Sequence, residues 1–438
     1  MKNKRASRTK AATLALATSL SVILGISPVA NAAGRTPQSA PSVTTITFLT
    51  QVATYLWAPL VDAFNKSQSS VKVVMDIVPF AGFNAAVQAD LGSRDATPDV
   101  FIVDQPTTAA WAARGYLVDL TKSFPSYVAA AKGSLYPAAV SGSEVDGQLY
   151  GGPIWESTQD LFYNAALLKK AGIALPSINP ALRWTWQQTE TAAKTVMAKT
   201  GVSCGILFEQ PTEYYQLQPM IMSDGGGTGL TGSGNLTPDL ETPAWNTVLT
   251  WYQGLFKAKI SPNLPSAEID PEFADGKCAF LAGEDVLGSA IQAKLDFGVA
   301  PLPYFAGGKA VTPNEADSIG INPFSKNQSA ALKFLEFATV NAEGNELSRQ
   351  VTTLPPANET AGATAFNNLS TYPLLAGYPK LIKYDLAHTA VPRPTSIGYP
   401  QFQTQMESML TDIIGGTSVS SALAYATTQL KAAFSQLH

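Results

Sequence analysis

Residues that could carry catalysis are scarce in this sequence. Histidine occurs only twice among the 438 residues, at His388 and His438, and there is no zinc-ligand spacing, nucleophile elbow or Walker loop. The segment from 227 to 232 spells G-x-G-x-x-G, yet it lacks the preceding strand and following helix that a dinucleotide site requires. The sequence therefore predicts no catalytic residue, no metal site and no cofactor.

Carboxylates near aromatic residues are the remaining side chains that could bind a ligand or take part in a reaction. Two carboxylates across a glycosidic bond could make a glycosidase, whereas scattered acids are usually surface groups. Carboxylates also accept hydrogen bonds from sugar hydroxyls, and aromatic rings stack on sugar faces, so this mixture favours a binding cleft. Trp155, beside Glu156, could contact a ligand or pack in a core. The acids in question are Asp104, Glu156, Glu284, Asp285 and Asp317.

The composition is that of a globular protein with a large core. Hydrophobic residues make up 45% of the chain, charged residues 14%, and the formal net charge is −4. This content is too apolar for a disordered chain, and two cysteines are too few for a disulfide scaffold. The acidic balance argues against a nucleic-acid partner, which calls for clustered Lys and Arg.

The elements that position these residues alternate between strand and helix. Apolar or alternating runs at 43–49, 71–77 and 99–103 predict strands, and stripes such as Leu56, Leu60 and Phe64 predict the helices between them. The result is a βαβαβ unit of a doubly wound α/β domain, in which ligands lie at the carboxyl ends of strands.

That rule selects the residues that follow each strand, which are Thr50 and Gln51, then 79–83, then Asp104 and Gln105. Tyr55 lies in the first strand-to-helix connection. The composition breaks near 151–153, and a second alternating series follows, so we expect two α/β lobes.

The amino terminus has the order of a secretory signal. Five basic residues precede an apolar run at 11–26 and the triplet Ala30-Asn31-Ala32, which predicts a signal peptide over 1–32 and a linker over 33–42. An uncleaved anchor is the alternative, but the apolar run is shorter than the ~20 residues that span a bilayer. Position 33 is Ala rather than a lipoprotein Cys, so we expect a free periplasmic or extracellular protein.

Cys204 and Cys278 are the only cysteines of the chain. In an exported protein they could form a disulfide, because oxidising compartments let such bonds persist. Two unpaired buried cysteines at strand edges are the alternative.

Several segments together resemble the extracellular solute-binding proteins of ABC sugar importers, the maltose- and trehalose-binding group (solute-binding family 1). The resemblance extends over most of the chain after the signal, and each segment is weak alone. The segments are TPDVFIVD at 97–104, PIWEST at 153–158, FADGKCAFLAG at 273–283, FGVAPLP at 297–303, and Arg393-Pro394 before Tyr399-Pro400.

The resemblance implies a type II periplasmic-binding-protein fold, with two α/β lobes, each a doubly wound sheet flanked by helices, joined by hinge strands. It assigns 44–152 and 318–354 to lobe 1, and 153–317 and 355–438 to lobe 2. It also implies a monomer that captures a carbohydrate between the lobes and delivers it to an ABC permease. The ligand-binding residues expected on this basis and on strand ends are Gln51, Tyr55, Asp104, Gln105, Trp155, Glu156, Glu284, Asp285, Asp317 and Arg393.

Three positions depart from the pattern of that group. Glu284-Asp285 follows Gly283 where an aromatic residue is common, Asp317 stands in a segment that is often Gly-Gly-Trp, and Ser157 replaces a frequent Asp. These changes suggest a ligand that is smaller, more polar or more basic than a malto-oligosaccharide. A secreted glycoside hydrolase using Glu284 or Glu156, and a surface interaction module, are the alternatives.

Overall fold

The computed structural model describes residues 43–51, 54–284, 286–349 and 354–437. The predicted signal peptide and linker lie outside the described residues. The strands are β1 (Thr44–Thr50), β2 (Val71–Ile77), β3 (Val100–Asp104), β4 (Glu144–Val145), β5 (Gln148–Leu149), β6 (Gly152–Ser157), β7 (Asp160–Asn164), β8 (Cys204–Phe208), β9 (Leu230–Thr231), β10 (Thr237–Pro238), β11 (Cys278–Gly283), β12 (Phe297–Pro301), β13 (Thr312–Ile321) and β14 (Ala390–Pro392).

Helices connect and flank these strands. The α-helices are α1 (Thr54–Ser67), α2 (Phe80–Gly92), α3 (Thr108–Ala113), α4 (Leu120–Ser123), α5 (Pro125–Ser134), α6 (Pro137–Gly142), α7 (Ala165–Ala171), α8 (Trp186–Thr200), α9 (Tyr214–Ser223), α10 (Pro243–Lys257), α11 (Ser266–Ala274), α12 (Leu287–Gln292), α13 (Gln328–Thr339), α14 (Ala342–Arg349), α15 (Glu359–Thr364), α16 (Tyr378–His388), α17 (Tyr399–Ile414) and α18 (Val419–Phe434). Short 3₁₀ helices span Gln105–Thr107, Pro180–Leu182, Ser233–Asn235 and Asn367–Thr371. Within the part of the chain described, no helix has both the length and the apolar character needed to cross a membrane.

The first sheet contains the predicted βαβαβ unit. Its strand order is β14-β13-β3-β1-β2, with β6 also paired to β13. β1 runs parallel to β2 and β3, whereas β13 is antiparallel to β3 and β6. Its core includes Phe48, Trp57 and Phe101, each at most 1% exposed.

The second sheet has the order β12-β7-β11-β8. Successive side chains of a strand point to opposite faces, and β7 follows this rule: Leu161 and Tyr163 lie in one core, and Phe162 lies in another on the opposite face. The sheet is therefore covered on both faces, as expected for an α/β sheet. The disulfide between Cys204 and Cys278 joins β8 and β11, which pair in parallel with these two residues in register.

Helix ends in the second half follow local signals in one case and depart from them in another. Thr185 and Gln188 form a capping box at the start of α8, and Gly201, with φ of 82°, ends that helix in the left-handed conformation. Thr242 precedes Pro243 at the start of α10, a favourable sequence for a helix start, but its side chain makes no capping hydrogen bond.

The chain passes between the two sheets several times. β6 of the first sheet leads directly into β7 of the second, and the chain returns from β12 into β13. The chain passes a third time at residues 355–357, which run beside β6. There the Glu156 N–H donates to the Pro355 carbonyl, and the Ala357 N–H donates to the Ile154 carbonyl. β6, β13 and this segment therefore form the connection between the two halves.

Candidate functional site

Arg393 is the centre of a buried polar cluster where the two sheets meet. It follows β14, and its side chain is 5% exposed. Nη2 donates to Oδ1 of Asp104 at the end of β3, and Nη1 donates to the Tyr399 hydroxyl at 3.1 Å. The guanidinium lies over the rings of Tyr215 and Tyr399, with its carbon 5.3 Å and 5.6 Å from the ring centroids, which is within cation–π range.

Asp317 lies beside this ion pair because of strand register. On β13 it is opposite Asp104 of β3 on one side and opposite Trp155 of β6 on the other. Directly opposite residues share a face of the sheet, and like charges there repel each other. The Trp155 side chain hydrogen-bonds to Asp317, but burial is the largest influence and, with the nearby Asp104, raises the pKa of Asp317 well above its usual value.

Glu284 enters the cluster from the second sheet, directly after β11. Its carboxylate accepts from the Tyr215 hydroxyl at 3.0 Å and from Nε2 of Gln210 at 3.4 Å. Ser157 Oγ at the end of β6 lies 2.7 Å from the Tyr215 hydroxyl. Burial raises the pKa of Glu284 to about 7, although the hydrogen bonds from Tyr215 and Ser157 and the charge of Arg393 act in the opposite direction.

Glu213 adds another carboxylate next to the cluster. It is the residue before α9, and burial and the nearby Glu407 raise its pKa to about 8, while Arg393 acts to lower it. The carboxylates of the cluster can accept several hydrogen bonds from a polar solute and can bind a positively charged group. Among the described residues no group of His, Cys, Asp and Glu is arranged to hold a metal ion.

The structure thus brings together Asp104, Asp317, Glu284 and Arg393, all of which the sequence proposes as ligand-binding residues. Trp155 is adjacent, but it is 5% exposed and stacks on Trp57 with ring centroids 5.1 Å apart. It is therefore part of the first core as well as a partner of Asp317.

The other proposed residues of the first sheet line the same region less directly. Gln51 is 9% exposed, and its carbonyl accepts from the Trp57 indole N–H at 3.3 Å. The Gln105 side chain accepts from the Ala316 N–H at 3.0 Å, which ties it to β13. The side chain of Tyr55, in the first turn of α1, and Asp285 lie outside the described residues.

Glu156 is separated from the cluster because it alternates with Trp155 along β6. It is 4% exposed and lines a cavity of about 590 Å³ on the other side of the crossing strands. Burial raises the pKa of Glu156 to about 7, while a hydrogen bond with Asn314 acts to lower it. The cavity lies between Tyr136 and the segments that contain Pro356 and Ile382.

Four residues of the cluster were not proposed from the sequence. Tyr215 and Glu213 belong to the start of α9, Tyr399 begins α17, and Ser157 ends β6. Ser157 is the last residue of its strand, so a search at strand ends could have selected it. Tyr215 and Glu213 carry no local signal, because they reach Arg393 from a helix that is distant in the chain. Tyr399 lies only six positions after Arg393.

Residues 49–344 match the family model described as "Bacterial extracellular solute-binding protein", and the chain belongs to this family. Its relatives include the maltodextrin-binding protein MdxE of Bacillus subtilis (strain 168). The two sequences are 25% identical over 333 residues, which cover 73% of each chain. The family and this relative are described as binding proteins, and the family is described as extracellular.

Solved structures of binding proteins share the fold. The GacH receptor of Streptomyces glaucescens GLA.O, determined unliganded and with acarbose, has a TM-score of 0.74 at 22% identity, covering 91% of this chain and 100% of that one. Maltose-bound T. maritima MalE3 has a TM-score of 0.76 at 19% identity, covering 89% and 99%. The predicted type II periplasmic-binding-protein fold with two lobes is confirmed.

Proposed function

We propose that this protein captures a carbohydrate in the cleft between its two lobes and delivers it to an ABC permease. The observation that carries the proposal is the cluster around Arg393, which draws Asp104 and Asp317 from the first sheet and Glu284 from the second. Such an arrangement binds a polar solute only when both lobes approach it. Hinge closure then makes the bound form distinct from the open form, which a permease can recognise by different contacts.

The sequence relative and the structures with the same fold support a sugar as the solute. The Bacillus subtilis relative is named for maltodextrin, and the related structures hold acarbose and maltose. Carboxylates and tyrosine rings are groups that hydrogen-bond sugar hydroxyls and pack against sugar faces. We further propose that the protein acts as a monomer and catalyses no reaction, with Glu284 serving as a hydrogen-bond acceptor.

The proposed lobes are 44–152 with 318–354, and 153–317 with 355–438. These boundaries fall at β6 and within β13, the strands that connect the two halves, and β14 pairs with the early part of β13. We also propose that residues 1–32 direct export and that the protein has no lipid anchor at Ala33.

Calorimetric titration with a panel of sugars tests this function. We expect micromolar or tighter binding of at least one sugar, and Asp104→Ala should weaken it at least tenfold, since a hydrogen bond to a charged group contributes about 1.5–3 kcal/mol. Asp296→Ala is the control, because Asp296 is 49% exposed and pairs with Lys169 away from the cluster. Full binding by Asp104→Ala would contradict the assignment, and aryl-glycoside turnover that disappears in Glu284→Gln would indicate an enzyme instead.

A further inference from the structure

Four carboxyl groups surround one guanidinium in the cluster. Asp104, Asp317, Glu284 and Glu213 all interact electrostatically with Arg393. The guanidinium of Arg393 pairs with Asp104. Buried charges are stable only when they are paired and hydrogen-bonded, so one guanidinium cannot neutralise four ionised carboxyl groups at once.

Asp317 is the clearest sign of that shortage. The residue is 8% exposed, and its Oδ1 has no hydrogen-bond partner among the described residues. The side chain contacts the Trp155 indole and faces Asp104, which repels it. A buried carboxylate oxygen in this position needs a donor from outside the protein.

The chemistry of the missing group follows from these acceptors. A sugar hydroxyl donates one hydrogen bond and brings no charge, whereas an ammonium donates three and brings a full positive charge. Aromatic faces in the same cluster already hold one cation, since Arg393 lies over Tyr215 and Tyr399.

We propose that the natural solute is a carbohydrate bearing a protonated amine, and that the amine binds between Asp317, Asp104 and Glu284. This inference rests on the proposed function and specifies the class of sugar. The neutral part of the solute uses the remaining donors and acceptors of the cleft.

Proton release should accompany binding of such a cation. Burial raises the pKa of Asp317, and it raises that of Glu284 to about 7, so Glu284 carries a proton in part of the free protein near neutral pH. A bound ammonium stabilises the ionised forms, so protons leave the carboxyl groups on binding and affinity rises from pH 5 to about pH 7, where the amine is still protonated. The titratable groups that face these two carboxyl groups from neighbouring elements are Asp104, Glu209, Tyr215, Asp270, Tyr378 and Arg393.

Titration calorimetry with matched sugars tests the proposal. The pairs are glucosamine with N-acetylglucosamine, and the glucosamine disaccharide with its diacetylated form, alongside maltose as a neutral sugar. We expect each amine to bind at least tenfold more tightly than its neutral counterpart at pH 7.5, with heats that vary with the ionisation enthalpy of the buffer. Asp317→Asn should abolish this preference, and Asp296→Asn, at an exposed ion pair, should retain it.

The outcomes separate this inference from the proposed function. If a neutral sugar binds as tightly as the amines, the inference is overturned while the carbohydrate-binding function stands. If no amine or neutral sugar binds, both fail.

A measurement without ligand provides a second test. Asp317→Asn should raise the melting temperature of the free protein more at pH 8 than at pH 5, because ionisation of Asp317, which creates the uncompensated charge, increases with pH. A loss of stability at both pH values would show that Asp317 is a structural partner and would overturn the inference.

Discussion

Replacing Arg393 by methionine should destabilise the protein in a pH-dependent manner. Methionine retains much of the side-chain volume but removes the charge that faces Asp104, Asp317 and Glu284. Arg393 is 5% exposed and Asp104 is 16% exposed, so water can replace little of the lost interaction. The substitution therefore leaves buried carboxylates without their cation.

The expected magnitude follows from the burial of this pair. Removing one partner of a buried ion pair costs about 3–5 kcal/mol, whereas removing one partner of an exposed pair costs about 0–1 kcal/mol. At pH 8 we expect the higher range for Arg393→Met. At pH 5 the cost should fall to about half or less, because the carboxylates can take up protons and lose their charge.

Urea unfolding at pH 5 and pH 8 measures both values. Lys169→Met is the matched control, since Lys169 and Asp296 are 57% and 49% exposed, and it should change stability by less than about 1 kcal/mol at either pH. Adding Asp104→Asn to Arg393→Met should recover part of the loss at pH 8. A cost below about 1 kcal/mol at pH 8, or a cost that is equal at both pH values, would refute the reasoning.

Other predictions concern the disulfide, the hinge and the first core. Replacing Cys204 and Cys278 by serine should lower the free energy of unfolding by about 2–4.5 kcal/mol, because the bond closes a long loop whose ends are 74 positions apart. Unfolding of the unsubstituted protein that is the same with and without reductant would contradict this. Burial raises the pKa of Glu156 to about 7 in the folded state, so its contribution to the free energy of unfolding decreases as the pH rises from 4.5 to 7. In Glu156→Gln this pH-dependent loss of stability should be smaller by about 3 kcal/mol in unfolding measurements. An unchanged pH profile would argue against a buried Glu156. Trp155→Ala should cost about 3–5 kcal/mol through loss of packing on Trp57, and a near-neutral thermal shift would place Trp155 outside the core.

Local patterns account for the part of the fold that could be predicted. The alternation at 71–77 and the apolar run at 99–103 predict strands that the structure contains, since side-chain periodicity is a local property. β14 and the first half of β13 were missed. Both are short or polar strands that become strands through pairing with each other and with β6.

The candidate site likewise contains residues that could be predicted from the sequence and residues that could not. Asp104 and Gln51 follow strands of a predicted parallel unit, so their position at the sheet edge could be derived from the chain order. Glu156 shows the limit of this reasoning. Strand alternation predicts that Trp155 and Glu156 face opposite sides, but it does not say which side carries the polar cluster.

The sequence by itself determined the alternation of strands and helices, the family resemblance, and the excess of acids over bases near strand ends. Only the tertiary structure decided that Arg393 lies against Asp104, although 289 positions separate them in the chain. The antiparallel register of β13 likewise set Asp317 opposite Asp104. The physical reason is that periodicity and propensity act over a few residues, whereas the charge balance of a buried site depends on which distant segments the folded chain brings into contact.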